Sequence, residues 1–146
     1  MKRTPTCIEG AWLLVQPKHA DNRGYFSRNY CQKSIVQHGL SGGFIQASES
    51  WNFEQGTLRG LHYQRSPFEE IKLVRCIKGS LFDVILDLRP NSPTYLNHFT
   101  IELEAFDGKM LYIPKGVAHG FMTLEDNTVI SYSMLEGEYS KEHASI

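Results

Sequence analysis

Three side chains suited to proton transfer on an anionic ligand lie close together in the sequence. Arg59 and Lys72 carry positive charges on either side of His62. Such cations form charge-assisted hydrogen bonds to phosphate oxygens, and an imidazole exchanges protons near neutral pH. The residue types therefore indicate an anion-binding site with an acid–base group, while a purely structural role for each residue stays open on this local pattern.

The composition is that of an ordinary globular domain. The chain has 146 residues, of which 41% are hydrophobic and 21% charged, so we expect one domain spanning residues 1–146. The formal net charge of −1 supplies no basic field for nucleic acid, and no apolar stretch reaches membrane-spanning length. The cysteines, Cys7, Cys31 and Cys76, form no CxxC pair, which favours a reducing, cytoplasmic compartment.

Short apolar segments separated by turn signals predict the elements that must position these side chains. One helix is predicted at residues 29–38, and a polar loop at residues 18–24 precedes an extended stretch at 25–27. The predicted strands are residues 8–15, 44–50, 57–64, 72–77, 80–88, 97–103, 109–113, 120–124 and 128–134. Many short strands with little helix indicate an all-β barrel or sandwich.

The strand around residues 82–88 has two faces of different character. Asp83, Ile85 and Asp87 share one face, whereas Phe82, Val84, Leu86 and Leu88 share the other. The apolar set is predicted to face the core, and the acidic set to face solvent or a polar cavity.

A second motif surrounds His119. The spacing Gly-x5-Pro-x-Gly-x2-His, from Gly108 through Pro114 and Gly116, resembles a motif of the cupin superfamily of jelly-roll barrels. In metal-binding cupins this histidine is a ligand, together with a His-x-His pair and a glutamate. Here the earlier strand supplies only His62, so no metal is expected.

The ordered set of motifs resembles the dTDP-4-dehydrorhamnose 3,5-epimerase family, which consists of cofactor-independent cupins acting on nucleotide sugars. The resemblance covers residues 12–146 in family order. The matching segments are Pro17-Lys18, Arg23-Gly24-Tyr25-Phe26, Leu58 to Gln64, Lys72 to Arg75, Phe82 to Val84, Asp87-Leu88-Arg89, Ser92-Pro93-Thr94 and Ile113 to Phe121.

The resemblance implies an enolate mechanism on a nucleotide-diphosphate 4-keto sugar, without a cofactor or metal, in a homodimer. It makes His62 the base, Tyr132 the opposing acid and Lys72 a group that stabilises the enolate. The residues that it places around the substrate are Arg23, Phe26, Gln46, Arg59 and His119.

Three departures from the family pattern bear on the substrate and on the base. Gln46-Ala47-Ser48 stands where the family has Gln-Asp-Asn, and Arg28 replaces an acidic residue. The chain ends at Ile146, before the segment whose carboxylate orients the family's histidine. We therefore expect either another partner for His62, with Asp83 as a candidate, or a weaker or altered activity.

Two readings of the function follow. The leading one is epimerisation at C3, C5 or both, with C3 alone as a close variant. The rival is a non-catalytic cupin that binds a sugar nucleotide. A base and an opposed acid favour the enzyme, since binding alone requires neither.

Overall fold

The computed structural model describes residues 1–43 and 45–137 in full and the backbone of residues 143–145. Over these residues the chain forms one helix and thirteen strands. The elements are β1 (Lys2–Pro5), β2 (Trp12–Val15), β3 (His19–Asp21), β4 (Gly24–Phe26), α1 (Gln32–Gln37), β5 (Gln46–Asn52), β6 (Leu58–Gln64), β7 (Ile71–Lys78), β8 (Ser80–Asp87), β9 (His98–Glu104), β10 (Lys109–Ile113), β11 (Val117–Thr123), β12 (Thr128–Glu136) and β13 (His143–Ser145).

Two antiparallel sheets build the domain. The six-stranded sheet has the order β1-β2-β10-β7-β12-β5, and the five-stranded sheet has the order β13-β6-β11-β8-β9. The pair β3–β4 forms a separate hairpin. Over the described residues, this arrangement confirms the predicted all-β fold with one short helix in the N-terminal third.

The main core lies between the two sheets. It contains Val74, Leu111 and Ile130 from the six-stranded sheet and Ile85 and Phe121 from the five-stranded sheet, all at most 2% exposed. Because side chains alternate along a strand, the residues on the same parity as these point into the space between the sheets. That space also holds the candidate site.

A second core covers the outer face of the six-stranded sheet. Helix α1 places Ile35 against Leu73, Met110 and Leu135, and this cluster also includes Leu14. The helix begins after Cys31, which makes no side-chain cap, and His38 caps its end. It is therefore shorter at both ends than the predicted helix.

The prediction that the face of β8 carrying Phe82 is the core face was wrong. Asp83, Ile85 and Asp87 are fully buried, whereas Phe82 is 37% exposed on the other face. Period-two alternation distinguishes two faces but does not say which one the second sheet covers. The buried carboxylates are tolerated because each is paired with a basic side chain, His119 or Arg89.

The remaining differences concern short elements and boundaries. Strands β1 and β13 were not predicted, the predicted strand at 8–15 is reduced to β2, and part of the predicted loop at 18–24 forms β3. The predicted strand at 44–50 becomes β5, and Phe44 lies outside the described residues. In the described part of the chain, no helix has the length and apolar character needed to cross a membrane.

Candidate active site

His62 and His119 lie opposite each other on neighbouring strands. In the antiparallel pairing of β6 with β11 the two residues are register partners, so both side chains extend to the same face. His119 is 4% exposed and lies between the sheets, whereas His62 is exposed. The motif with Pro114 and Gly116 thus leads into β11, where His119 lies beside His62, the predicted base.

A β-bulge brings Arg59 to the same face as His62. Regular alternation would place the two residues on opposite faces, but the register between β6 and β11 shifts between His119 and Phe121, and Arg59 pairs with Phe121. Glycines permit this close approach, because a Cβ on Gly60 would lie 2.6 Å from the Cα of Gly120.

Asp83 contacts His119 from the adjacent strand β8. The Nε2 of His119 lies within hydrogen-bond distance of Oδ2 of Asp83, at 2.9 Å, and both side chains are buried. Burial raises the pKa of Asp83, while the pairing with His119 lowers it, and the net direction is upward. Because β11 lies between β8 and β6, the contact shown for this carboxylate is with His119; its proposed action on His62 stays a prediction.

Tyr132 faces His119 from the opposite sheet. The two ring centroids are 6.1 Å apart with planes at 74°, an edge-to-face contact. Burial raises the pKa of Tyr132 and the nearby Asp83 raises it further, outweighing the influence of Arg59 and a hydrogen bond with Ser50. The phenol is therefore held protonated, as a proton donor must be.

The two cations of the site each have a fixed partner. The Nε of Arg59 donates to Oδ1 of buried Asn52 over 2.6 Å. The Nζ of Lys72 lies 2.6 Å from Oε1 of Glu70, and their side chains are 18% and 9% exposed. Sequence reasoning missed Asn52 and Glu70 as partners of these cations. Each is a polar residue near its cation in the sequence, but only the fold shows that the two side chains of each pair meet.

Strand β5 lines the site with uncharged polar groups. Gln46 is paired with Met134 and Ser48 with Tyr132, so these two side chains lie on the Tyr132 face, whereas Ala47 lies on the other face. Of the two departures from the family's Gln-Asp-Asn pattern, the one at Ser48 is therefore the one that faces the site.

The structure does not place Arg23 and Phe26 with this group. Both lie at the β3–β4 hairpin, where Arg23 forms an ion pair with Asp21 and its side chain is 84% exposed. Phe26 is 62% exposed and borders a cavity of about 480 Å³ together with Arg75 and Phe106. Their role as substrate-binding residues stays a prediction.

The described residues contain no cluster of three or more His, Cys, Asp or Glu side chains arranged to hold a metal ion. What they do contain is the exposed imidazole of His62, the phenol of Tyr132 on the facing sheet and the cations of Arg59 and Lys72. Such a group can remove a proton from a carbon acid, stabilise the resulting anion and return a proton from another direction.

One protein family matches nearly the whole chain. Residues 5–146 match the profile described as dTDP-4-dehydrorhamnose 3,5-epimerase. A dTDP-4-dehydrorhamnose 3,5-epimerase of Sinorhizobium fredii is 47% identical over 131 residues, which cover 89% of this chain and 67% of that protein.

Solved structures share the architecture. A dTDP-4-dehydrorhamnose 3,5-epimerase from Bacillus anthracis, with TDP and PPi bound, has a TM-score of 0.94 at 35% identity, covering 99% of this chain and 83% of that one. ChmJ, a 3'-monoepimerase from Streptomyces bikiniensis solved as a histidine and tyrosine double mutant with dTDP, has a TM-score of 0.89 at 26% identity, covering 97% and 71%. The sequence-based prediction is confirmed: the chain belongs to the dTDP-4-dehydrorhamnose 3,5-epimerase family, an isomerase family of cupin-like fold.

Proposed function

We propose that the chain epimerises a dTDP-linked 4-keto-6-deoxy sugar at C3, C5 or both, with His62 as base and Tyr132 as acid. The observation that carries this assignment is the placement of the two groups on facing sheets, with His119 between them in contact with Tyr132 and in register with His62. The relatives with bound TDP or dTDP support the choice of nucleotide.

The chemistry follows from the C4 ketone, which acidifies the protons on C3 and C5. His62 removes one of these protons, and the electron pair of the C–H bond moves to the ketone oxygen as an enolate. Lys72 stabilises that oxygen, and Tyr132 then donates its proton to the carbon from the opposite face, which inverts the centre. The histidine and tyrosine replaced in ChmJ have the same separation along their chain as His62 and Tyr132, which supports the pairing.

Binding is assigned to the cationic and polar side chains around this centre. Arg59, with Gln46 and His119, is proposed to hold the sugar or its diphosphate. Arg23 and Phe26 are proposed to reach the same substrate from a second copy of the chain, because their hairpin carries an exposed cation and an exposed aromatic ring. Exposed apolar side chains, Trp51 among them, support an interface with another copy of the chain.

Complementation tests the shared site. His62→Ala, inactive alone, and Arg23→Ala, impaired at low substrate concentration by its raised KM, should regain activity at that concentration when they are mixed and allowed to exchange subunits, since one site then carries both native residues. Light scattering would give the mass of each species. A monomeric, active wild type would overturn the dimer proposal.

The compartment is also a proposal. Cys7, Cys31 and Cys76 are all free thiols, and together with a nucleotide-sugar substrate this supports a cytoplasmic location. Fractionation of cells that produce the protein would test it.

Solvent deuterium exchange tests the reaction itself. In D2O with dTDP-4-keto-6-deoxyglucose, deuterium should enter C3, C5 or both in the wild type and neither position in His62→Ala. Tyr132→Phe should retain exchange but lose inversion, because the base still acts without its opposing acid. Matched controls are His98→Ala and Tyr95→Phe, which change exposed residues.

The same spectra distinguish the remaining readings. Label at C3 alone would identify a 3-epimerase, the activity named for ChmJ. Binding of the sugar nucleotide without exchange at either carbon would replace the proposed enzyme with a binding protein.

A further inference from the structure

Asn52 is the last residue of β5, and its buried amide contacts one of the two cations of the candidate site. We propose that Asn52 is a positioning residue that holds Arg59 at Nε, so that the two Nη groups of the guanidinium face the diphosphate of the substrate. The inference rests on the proposed function, which assigns Arg59 to the substrate, and it adds a residue that acts through Arg59.

The orientation of the Asn52 amide is fixed by its surroundings. Its Nδ2 donates to the backbone carbonyls of Ser50 and Thr128, each over 3.2 Å, and Thr128 is its register partner on β12. The amide nitrogen and oxygen cannot exchange places, because the oxygen would then face two carbonyl oxygens. Oδ1 must therefore point to the other side, where the Nε–H of Arg59 donates to it over 2.6 Å.

The amide of Asn52 meets two demands at once. It supplies donors for two carbonyls and an acceptor for Arg59, whereas an aspartate would place a further oxygen against those carbonyls and a serine has a single polar atom. Asn52 is 2% exposed, so its side chain does not reach the solvent-facing side of the site. Its influence on a bound substrate therefore passes through Arg59.

The contact determines which edge of Arg59 is presented to an anion. Arg59 is exposed, and its Nε is committed to Asn52, so the edge formed by Nη1 and Nη2 is the one left to face outward. Two parallel N–H groups on such an edge match two oxygens of a phosphate. A contact that orders a long side chain before the ligand arrives also lowers the entropy lost on binding.

The same contact keeps the charge of Arg59 near Tyr132, the proposed acid. Burial raises the pKa of Tyr132, and Arg59 together with a hydrogen bond from Ser50 offsets part of that rise. The phenol becomes negatively charged when it gives up its proton, so a cation held nearby favours the transfer. A displaced Arg59 should therefore weaken both the binding of the diphosphate and the return of the proton.

A double-mutant cycle measured by dTDP binding tests the proposal. In calorimetry, Asn52→Ala should weaken dTDP binding about fivefold or more, and Arg59→Ala about tenfold or more. In the Arg59→Ala background, Asn52→Ala should cost less than about twofold, since the residue through which it acts is gone. A merely structural role predicts the same loss in both backgrounds. Asn91→Ala, in an exposed turn, is the control.

Deuterium exchange at saturating substrate provides a second readout. In Asn52→Ala, the yield of inverted product relative to incorporated deuterium should fall, because the base His62 is retained while the cation near Tyr132 is displaced. The control is Ser133→Ala, which is adjacent in register to Ala47 on the opposite face of the sheet from Tyr132 and should leave this ratio unchanged.

A measurement on the wild type needs no variant at Asn52 to fold. Nitrogen NMR of arginine-labelled protein without ligand should give the Nε–H of Arg59 an order parameter near the value of about 0.85 of rigid groups. The spectrum of Arg59→Lys assigns the signal, because lysine has no such group.

Two results would overturn the proposal: equal losses of dTDP affinity in both arms of the cycle, or an order parameter of the Arg59 Nε–H below about 0.6. Either result in a protein that still exchanges deuterium would leave the proposed reaction intact. A wild type that binds no dTDP would overturn this inference together with the nucleotide of the proposed function.

Discussion

Two aspartates on the same face of β8 are equally buried and yet are held in opposite ways. Asp87, at the end of the strand, accepts hydrogen bonds on both oxygens. Its donors are the backbone N–H and Nε of Arg89 at 3.0 and 2.8 Å, the Nη2 of Arg89 at 2.7 Å, the hydroxyl of Ser92 at 2.6 Å and that of Thr94 at 2.7 Å. Asp83 has His119 on one oxygen and no hydrogen-bond partner among the described residues on the other.

The difference appears in the protonation of the two groups. Burial raises the pKa of both carboxyls. At Asp87 the donors from Arg89, Ser92 and Thr94 outweigh burial and hold the pKa far below its usual range, whereas at Asp83 burial prevails and the pKa is raised. Asp87, with hydrogen bonds to both oxygens, stabilises the loop after β8. Asp83 keeps one oxygen without a hydrogen-bond partner among the described residues, beside a histidine of the candidate site.

The strongest test of this comparison is the same substitution at both sites. Asp87→Asn should lower the free energy of unfolding by about 3 kcal/mol, because it leaves the half-buried Arg89 without its counter-charge. Asp83→Asn should cost less, about 1 kcal/mol, since its amide still satisfies His119. Urea unfolding of both variants measures the two values, and equal losses would remove the distinction.

Turnover should fall more in Asp83→Asn than in Asp87→Asn, which is the reverse of the order expected for stability. At a temperature where Asp87→Asn remains folded, its kcat should stay close to wild type, because Asp87 contacts the loop after β8 and none of the proposed catalytic groups. Impaired turnover by folded Asp87→Asn would show that the two aspartates are not functionally separate.

The loss of stability at acid pH also tests the role of Asp87. A carboxylate whose pKa is lower in the folded state stabilises the protein above its unfolded pKa of about 4, and this stability is lost as the pH falls towards the folded value. Asp87 is such a group. Wild type should therefore lose stability below about pH 4 more steeply than Asp87→Asn in pH-dependent urea unfolding. Parallel slopes would contradict the assignment.

A smaller effect on stability is expected at Gly116, which packs against Arg89, the partner of Asp87. Its φ is +75°, and a Cβ there would lie 2.5 Å from Cγ of Arg89. Gly116→Ala should lower stability by about 2 kcal/mol through backbone strain and displacement of Arg89. Gly56→Ala is the control, because Gly56 has a similar φ of +80° but open space around its Cα. Thermal unfolding measures the loss of stability in both variants. An equal loss would show that backbone strain alone accounts for the effect and that displacement of Arg89 contributes nothing.

The smallest effect on stability is expected at Arg23. Its ion pair with Asp21 is largely exposed, so solvent screens it and Arg23→Ala should leave the denaturation midpoint unchanged. The KM for the nucleotide sugar should nevertheless rise if this cation binds substrate. An unchanged KM would remove Arg23 from the site.

Much of the molecule could be predicted from local sequence. Alternating apolar residues and turn signals predicted most strands and the all-β class, because both arise from neighbouring residues. The ordered motifs around His62, Lys72 and His119 identified the family, and with it the candidate base, acid and cations. These features need no knowledge of which segments meet in space.

Tertiary structure alone decided how the site residues face one another. Alternation could not say which face of β8 is covered, so the core was assigned to the face of Phe82, whereas Asp83, Ile85 and Asp87 are the buried side chains. It could not reveal the bulge that brings Arg59 beside His62, because the insertion exists only in the pairing of β6 with β11. Nor could it pair Asp83 with His119, since their contact depends on strand order in the sheet. The residue types are local information; their partners are set by the packing of distant strands.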